Sequence, residues 1–450
     1  MTHDRAITSK NDLVDDLANA CKPKSHSKIG VEHEKFIYDR KDFKRVPYQG
    51  GIEEILKGLQ RFDWQPVYEQ NHLIALTRNQ ASISLEPAGQ LELSGAPLVT
   101  LHETNQELHG HRQEVDQVLK ELGFIMVSLG YDPVSTISDL SWMPKQRYQI
   151  MRNYMPKKGN LGLEMMANTC TVQVNLDFSS EQDMIQKFRL GLALQPLTTA
   201  LFASSSLSRG LPNGFQSFRH KIWQDTDPDR CGLLKFVFDK EMSFERYVDY
   251  MLEVPMYFIE RESQYLDVAG QSFGHFLKGS LIRPKDFAGL IQPIMKDWHN
   301  HLTVAFPEVR LKHYLEMRGA DGGPEPHVQA LPAFWTGLLY DDESLKTSYD
   351  IIQEWSFDDI NDLYKNIARQ GLDANFRNHS LKDLARQFLD LSQQGLRRRS
   401  YLNKRGEDES VYLTYLQKML DHDLTYAQKL LQDSKQDFEK KDQILKKNSF

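Results

Sequence analysis

Four short runs of this chain place carboxylates and amides at alternate positions, an arrangement suited to holding a divalent cation. In Lys28-Ile29-Gly30-Val31-Glu32-His33-Glu34-Lys35-Phe36, a period of two puts Glu32 and Glu34 on one side of an extended strand. From Ser82 to Leu93, Ile83 and the leucines pack one way. Glu86, Gln90 and Glu92 take the other side, with Pro87-Ala88-Gly89 as a bend. Thr171 to Phe178 alternates throughout, with Gln173, Asn175 and Asp177 together, and Glu316 shares a face with Arg318 in Tyr314-Leu315-Glu316-Met317-Arg318. An antiparallel sheet with one wet side is the common source of such alternation. A wet side, however, normally mixes lysines among its acids, and these strands carry almost none. Adjacent like charges repel, so converging Glu32, Glu34, Glu86, Glu92 and Glu316 call for a cation between them. An oxygen donor set with no cysteine and few histidines selects hard ions, magnesium or manganese, over zinc. Magnesium on carboxylates usually leaves its remaining positions to nucleotide phosphates.

Phosphates in turn favour arginine, which stays charged and offers a two-pronged fork. Candidates are Arg318 beside Glu316, Arg147 and Arg152 in the segment 147–156, and Arg219 and Arg230 in the segment 217–230. No GxxxxGK[ST] loop and no strand-borne GxGxxG is present, which excludes a P-loop and a dinucleotide-binding turn.

The elements that must position these residues form a mixed α and β pattern. Ser9, Asn11 and Asp12 open a capped helix over residues 9–20. From Ile29 to about Phe178, short strands mix with helices such as Glu103–Leu122. Helical periodicity dominates from Gln182 to Ser206 and again over residues 241–266. Val309 to Arg318 reads as one strand, ended by a strong turn in Gly319-Ala320-Asp321-Gly322-Gly323-Pro324. Beyond about Trp355 the chain is helical and charged, with a Lys-rich tail from Lys440 expected to fray. Arg397-Arg398-Arg399 is either a solvated or a phosphate-facing cluster. Residues 1–355 are expected to be the catalytic core, and 356–450 a helical extension packed on it as one structural unit.

The 450 residues are 40% hydrophobic, which is enough to bury a large core. A net charge of -7 gives no general pull toward nucleic acid or an anionic membrane. The most apolar stretch, Leu190 to Leu207, is interrupted by Gln195, Pro196, Thr198, Thr199 and a serine triplet, and reads as a buried helix. The amino terminus lacks a secretory pattern, and the three cysteines (Cys21, Cys170, Cys231) are scattered, so a reducing cytoplasm is expected. Cys170 reads as a packing residue.

The runs GVEHEKF, SLEPAGQLELSGAP, YQIMRNYMPKKGNLGLEMM, TCTVQVNLDFSS, PNGFQSFRHKIWQDTDPDRCG, YVDYMLEVPMYF and FPEVRLKHYLEMRGADGGP resemble glutamate–cysteine ligases of the plant and proteobacterial branch. The resemblance spans roughly Ile29 to Tyr340 and is weaker beyond. It implies an α+β, glutamine-synthetase-like carboxylate–amine ligase fold, in which a curved antiparallel sheet forms a funnel surrounded by helices. It also implies ATP as co-substrate and Mg2+ (or Mn2+) held by Glu32, Glu34, Glu86, Glu92 and Glu316, with Gln173 where a distant branch uses histidine. Arg318 would face the nucleotide phosphates and act in catalysis with Glu316. Arg219 would hold the glutamate α-carboxylate, with Trp223, Arg230 and Arg152 near the substrate and Tyr257 lining a cysteine pocket. Plant members use switch cysteines, where this chain has Val268 and Gln329, so that control is not expected.

The implied reaction joins the γ-carboxylate of L-glutamate to the amine of L-cysteine through a γ-glutamyl phosphate, the first step of glutathione synthesis. The alternatives are another acceptor amine on the same fold, a branch supplying γ-glutamylcysteine for ergothioneine, or a silent binding protein that kept the fold. The partners expected are small molecules, with no nucleic acid or membrane, in a monomer or homodimer. Glu32→Gln and Glu316→Gln are each expected to lower activity by several orders of magnitude while sparing the fold, since removing a like charge relieves repulsion among acids.

Overall fold

The computed structural model describes residues 5–282, 291–436 and 441–449. Ile29–Asp39 forms strand β1, around which the main sheet is ordered. Its partners are β2 (Gln65–Glu69), β3 (His72–Arg78), β4 (Ala81–Leu85), β5 (Leu91–Ser94), β6 (Phe124–Val127), β7 (Thr171–Leu176) and two late strands, Val309–Leu311 and Leu315–Asp321. From one edge the order is Val309–Leu311, Leu315–Asp321, β7, β1, β5, β4, β3, β2, with β6 on the far half of β1. Every pairing in this sheet is antiparallel. The fold is therefore α+β, as the alternating carboxylate strands require.

The alternation sorts the side chains cleanly. Ile29, Val31, Val172, Val174, Leu176, Leu315 and Met317 pack into one buried apolar cluster with the helices Glu181–Leu201 and Glu325–Leu339. His33 and Leu93 also point to this helix-covered side, beside Leu101 and Leu108 of the helix Leu101–Leu122. Leu190, Leu192, Leu194 and Leu197 of the helix Glu181–Leu201 are almost wholly buried. Each contributes up to about 1.5–3 kcal/mol of transfer free energy. That segment is the interrupted apolar stretch; among the described residues no helix is long and apolar enough to cross a membrane. The opposite face of the sheet is left to the acids.

Several boundaries differ from expectation, each for a local reason. The first helix, Lys10–Ala18, is capped as expected, with the Asp12 carboxylate accepting from the Ser9 N–H. The helix Glu181–Leu201 ends before Ser206, because Ser204 and Ser205 are drawn to Asp321. The helical pattern over 241–266 stops at Glu253: Pro255 follows, and Phe258–Arg261 and Gln264–Asp267 pair as a hairpin. Its turn residues Glu262 and Ser263 both take positive φ, as a tight hairpin requires. The run 309–318 is not one strand but two arms around Lys312–Tyr314, and the second arm continues through Gly319 to Asp321 before the turn. The tail does not fray throughout. Lys440 lies outside the described residues, but Lys441–Lys447 is helical and Leu445 is buried against Phe36, Tyr38 and Val127.

The helices after residue 355 share the same core. Ile360, Ile367, Phe388, Leu396 and Leu420 belong to one cluster with Val174 and Leu315 of the sheet. Arg398 donates to Asp341 and Arg399 pairs with Glu409, so two of the three clustered arginines hold internal acids.

Candidate active site

Pairing register lines up the polar residues in rows across the uncovered face. Ser84 of β4, Glu92 of β5 and Glu34 of β1 are direct neighbours in one row. Ser94, Glu32 and Gln173 form the next, and Asn175, Glu316 and Arg310 a third. The turn Pro87-Ala88-Gly89, where Gly89 adopts φ 82°, carries Glu86 to the same side. Glu32, Glu34, Glu86, Glu92, Gln173, Arg147, Arg219, Trp223, Arg310 and Arg318 all line one open cavity. Thr303, Val304, Phe306 and Phe258 line it as well.

The acids of this cavity strain against one another. Burial, with Glu86 and Glu92 beside it, raises the Glu34 carboxyl well above its usual range. Burial and the nearby Glu86 also raise Glu92, although the Ser84 hydroxyl donates to it at 2.8 Å. Glu32 is pushed up to about 7 by burial and by Glu316, with Lys312 and the Asn175 amide (2.7 Å) opposing. Opposed carboxylates raised in this way fit a hard divalent ion, which would satisfy them with oxygen coordination alone.

Glu316 behaves differently. It is fully buried and is not on the cavity wall. Arg310 reaches it at 2.8 and 2.9 Å, Lys312 at 2.7 Å, and Arg318 also pairs with it. Burial alone would raise its carboxyl, but Arg310, Lys312 and Arg318 together hold it well below the usual range. Arg318 also donates to the Gln173 side-chain oxygen at 2.8 Å. A shift in register between Met317 and Ala320 re-aims the chain at Arg318. A Cβ at Gly319 would collide with the Gln195 amide and the Glu308 carboxylate, which explains the glycine there.

Arg219 and Trp223 come from a short helix, Phe218–Trp223, started by Ser217, whose hydroxyl accepts from the His220 N–H. Asp321 fixes this helix by accepting from Ser217 at 2.8 Å and Ser205 at 2.6 Å, while Ser205 accepts from the Arg219 N–H at 3.1 Å. One Arg219 guanidinium nitrogen donates to the Arg318 carbonyl at 3.1 Å. The Arg219 Nε and the Trp223 Nε1 are buried at the cavity with no hydrogen-bond partner among the described residues. Such donors cost about 1–3 kcal/mol each when unsatisfied, so they point to a polar ligand in this cavity.

A family model described as glutamate–cysteine ligase family 2 matches residues 28–446. Glutamate–cysteine ligase B, chloroplastic, of Oryza sativa subsp. japonica is 50% identical over 94% of this chain and 83% of its own length. The chloroplastic glutamate–cysteine ligases of Nicotiana tabacum and Arabidopsis thaliana are each 49% identical over 94% of the chain and 79% of their own lengths. The chain belongs to glutamate–cysteine ligase family 2. It is thus an enzyme, and its fold agrees with solved carboxylate–amine ligases. A glutamate–cysteine ligase from Francisella tularensis in complex with AMP superposes with a TM-score of 0.56 at 14% identity, covering 94% of this ligase and 87% of that chain. A bifunctional glutathione synthetase from Pasteurella multocida gives 0.51 at 14% identity, over 96% of this ligase and 53% of that chain. The chloroplastic relatives overturn the cytoplasmic placement expected for the ligase. Scarce cysteines disfavour an oxidising compartment without choosing among reducing ones.

Three residues expected near the substrates of the ligase lie off the cavity wall. Arg230 is buried against Asp227 (2.7 Å) and the Val304 carbonyl (2.8 Å), with the Tyr257 ring 4.0 Å from its guanidinium carbon. Tyr257 is itself buried, edge-on to Tyr154. Arg152 is exposed and lies over Trp142. Asp177 leaves the Gln173–Asn175 face to accept from Lys22 and the Lys28 N–H. Gln329 donates to Asn105 at 2.7 Å and Val268 is buried in the core. Cys170 is fully buried, and burial lifts its thiol well above the usual value. Arg310 and Lys312, which sequence reasoning passed over, neutralise Glu316. Their signal was antiparallel register, hidden because Lys312-His313-Tyr314 carries no glycine or proline to mark the turn.

Proposed function

We propose that this cavity binds ATP and L-glutamate, phosphorylates the γ-carboxylate, and lets the amine of L-cysteine displace phosphate to give γ-glutamylcysteine. The single observation that carries this reading is the row of Glu34 and Glu92, facing Arg219, Arg310 and Arg318 in one cavity. Glu32, Glu34, Glu86 and Glu92, with the Gln173 oxygen, are the residues that would hold magnesium. The ion would supply charge neutralisation at the transferring phosphoryl group.

The chain's own residues do the rest. Arg310 and Arg318, held on Glu316, stand ready to meet the polyphosphate. Glu316, buried behind the wall, keeps both guanidiniums charged and in place. Arg219, fixed by the Asp321–Ser205–Ser217 network, takes the glutamate α-carboxylate with its unpaired Nε–H. The span from Arg219 to the acids then selects the length of glutamate over aspartate. Phe306, Val304 and Phe258 keep water from the acyl phosphate. Charge prearranged in such a cavity usually accelerates a reaction more than any other single effect.

The test is product formation by the pure protein with ATP, magnesium and glutamate, offering cysteine, alanine, 2-aminobutyrate or ammonia in turn. γ-Glutamylcysteine and ADP in equal amounts, with cysteine preferred, are the expected outcome. Preference for ammonia or for a sulfur-free amine would overturn the acceptor assignment.

A further inference from the structure

Away from the cavity, three side chains from three separate segments converge. Asp16 sits on the helix Lys10–Ala18, His299 on the helix Met295–Leu302, and His313 at the turn joining Val309–Leu311 to Leu315–Asp321. The His299 Nε2 lies 3.0 Å from one Asp16 oxygen, and the His313 Nε2 2.9 Å from the other. All three donor atoms fall within 4.8 Å of one another. The Asp16 side chain is nearly inaccessible, whereas His299 and His313 remain 24% and 40% exposed, so an ion has a path in from solvent. Burial would raise the Asp16 carboxyl, but the two imidazoles outweigh it and hold the group well below its usual range.

We propose that Asp16, His299 and His313 form a second metal site, one for a zinc-class divalent transition ion. Two imidazoles and one carboxylate suit borderline ions such as zinc or cobalt, unlike the all-oxygen cavity, which suits magnesium. Bonds of about 2.1 Å at a tetrahedral centre hold donors about 3.4 Å apart. The two imidazole nitrogens lie 3.0 and 2.9 Å from Asp16 and no more than 4.8 Å from each other, a span that brackets this value. Three protein ligands leave a fourth position to water. The ion would brace the amino-terminal helix against the turn whose two arms carry Arg310 and Glu316, tying occupancy of this site to the hairpin that presents Arg310 to the carboxylate cavity.

The test uses the full chain, stripped by chelation and then saturated with magnesium to fill the carboxylate cavity. One equivalent of cobalt should give the intense visible bands of a four-coordinate, imidazole-bound ion. His313→Gln and His299→Gln should each weaken that uptake at least about tenfold. A crystal of the unaltered protein grown with one equivalent of zinc should show its anomalous peak between the three donors, a result that needs no variant to fold. Only the weak bands of six-coordinate cobalt, unchanged uptake by both variants, or no peak at these residues would each overturn the proposal. The cluster would then be an ion-paired latch.

Discussion

Glu34 and Glu92 stand directly opposite each other in the β1–β5 ladder, each 9% exposed. Like charges so placed destabilise a sheet unless a cation lies between them. Glu34→Gln or Glu92→Gln should therefore lower turnover about a thousandfold without lowering the melting temperature. Magnesium should raise the melting temperature of the parent protein more than that of either variant. An equal rise in all three would remove the pair from the ion's shell.

Glu316→Gln should behave differently from the other acids. Expected from sequence to spare the fold, it instead strips the counter-charge from buried Arg310 and from the partly buried Lys312 and Arg318. The loss should be about 3–5 kcal/mol of stability together with activity. Glu32→Gln, at a carboxyl already pushed up to about 7, should keep the fold and lose only turnover. Urea melts of the two variants side by side decide between these outcomes.

Arg219→Lys keeps the charge and loses the fork. It should raise the KM for glutamate about 10- to 100-fold, with a smaller effect on the KM for ATP. A fallen melting temperature with unchanged kinetics would assign Arg219 a purely structural role.

Arg230→Ala should unfold rather than mis-bind. It leaves Asp227 as an uncompensated buried charge, at a cost of about 3–5 kcal/mol. Retained stability with an altered KM for cysteine would instead restore Arg230 and Tyr257 to the substrate pocket.

Acid stability should depend on two buried histidines that lie off the cavity wall. Burial lowers His301 to about 4 and His327 to about 3, from an unfolded value of about 6.5. Both are neutral in the folded chain, and unfolding lets them take up protons. The stability they contribute is complete above about pH 6.5 and is lost progressively as pH falls from there down to their folded values, at about 1.4 kcal/mol per unit for each. His327→Phe, in a pocket of Phe202, Tyr415 and Tyr426, should flatten the loss measured by urea midpoints between about pH 7.5 and about pH 5. An unchanged slope would show that His327 is not a source of the acid sensitivity.

The carboxylate strands were legible because a period of two reports directly which face a side chain takes. Glu32, Glu34, Glu86, Glu92 and Gln173 accordingly converge. Depth is a different matter, since no local pattern separates a wall residue from one behind the wall. Arg219 and Arg230 lie eleven positions apart in one polar segment, yet only Arg219 reaches the cavity. Turn chemistry also misled: Lys312-His313-Tyr314 reverses the chain without a turn residue, while Gly319 lies within a strand. The helical reading of 258–266 failed because tertiary pairing overrode a periodicity that Glu260, Arg261 and Glu262 share with helices.

The β4–β5 turn has a consequence for how this sequence can change length over time. Its residues 86–90 set the pairing that points Glu92 at Glu34. Inserting or deleting one residue there would rotate Leu91 and Leu93 into the catalytic space and press Glu92 into the apolar layer. Gaps between descendants of this chain should thus collect at outlying reversals such as Arg377-Asn378 and spare this turn.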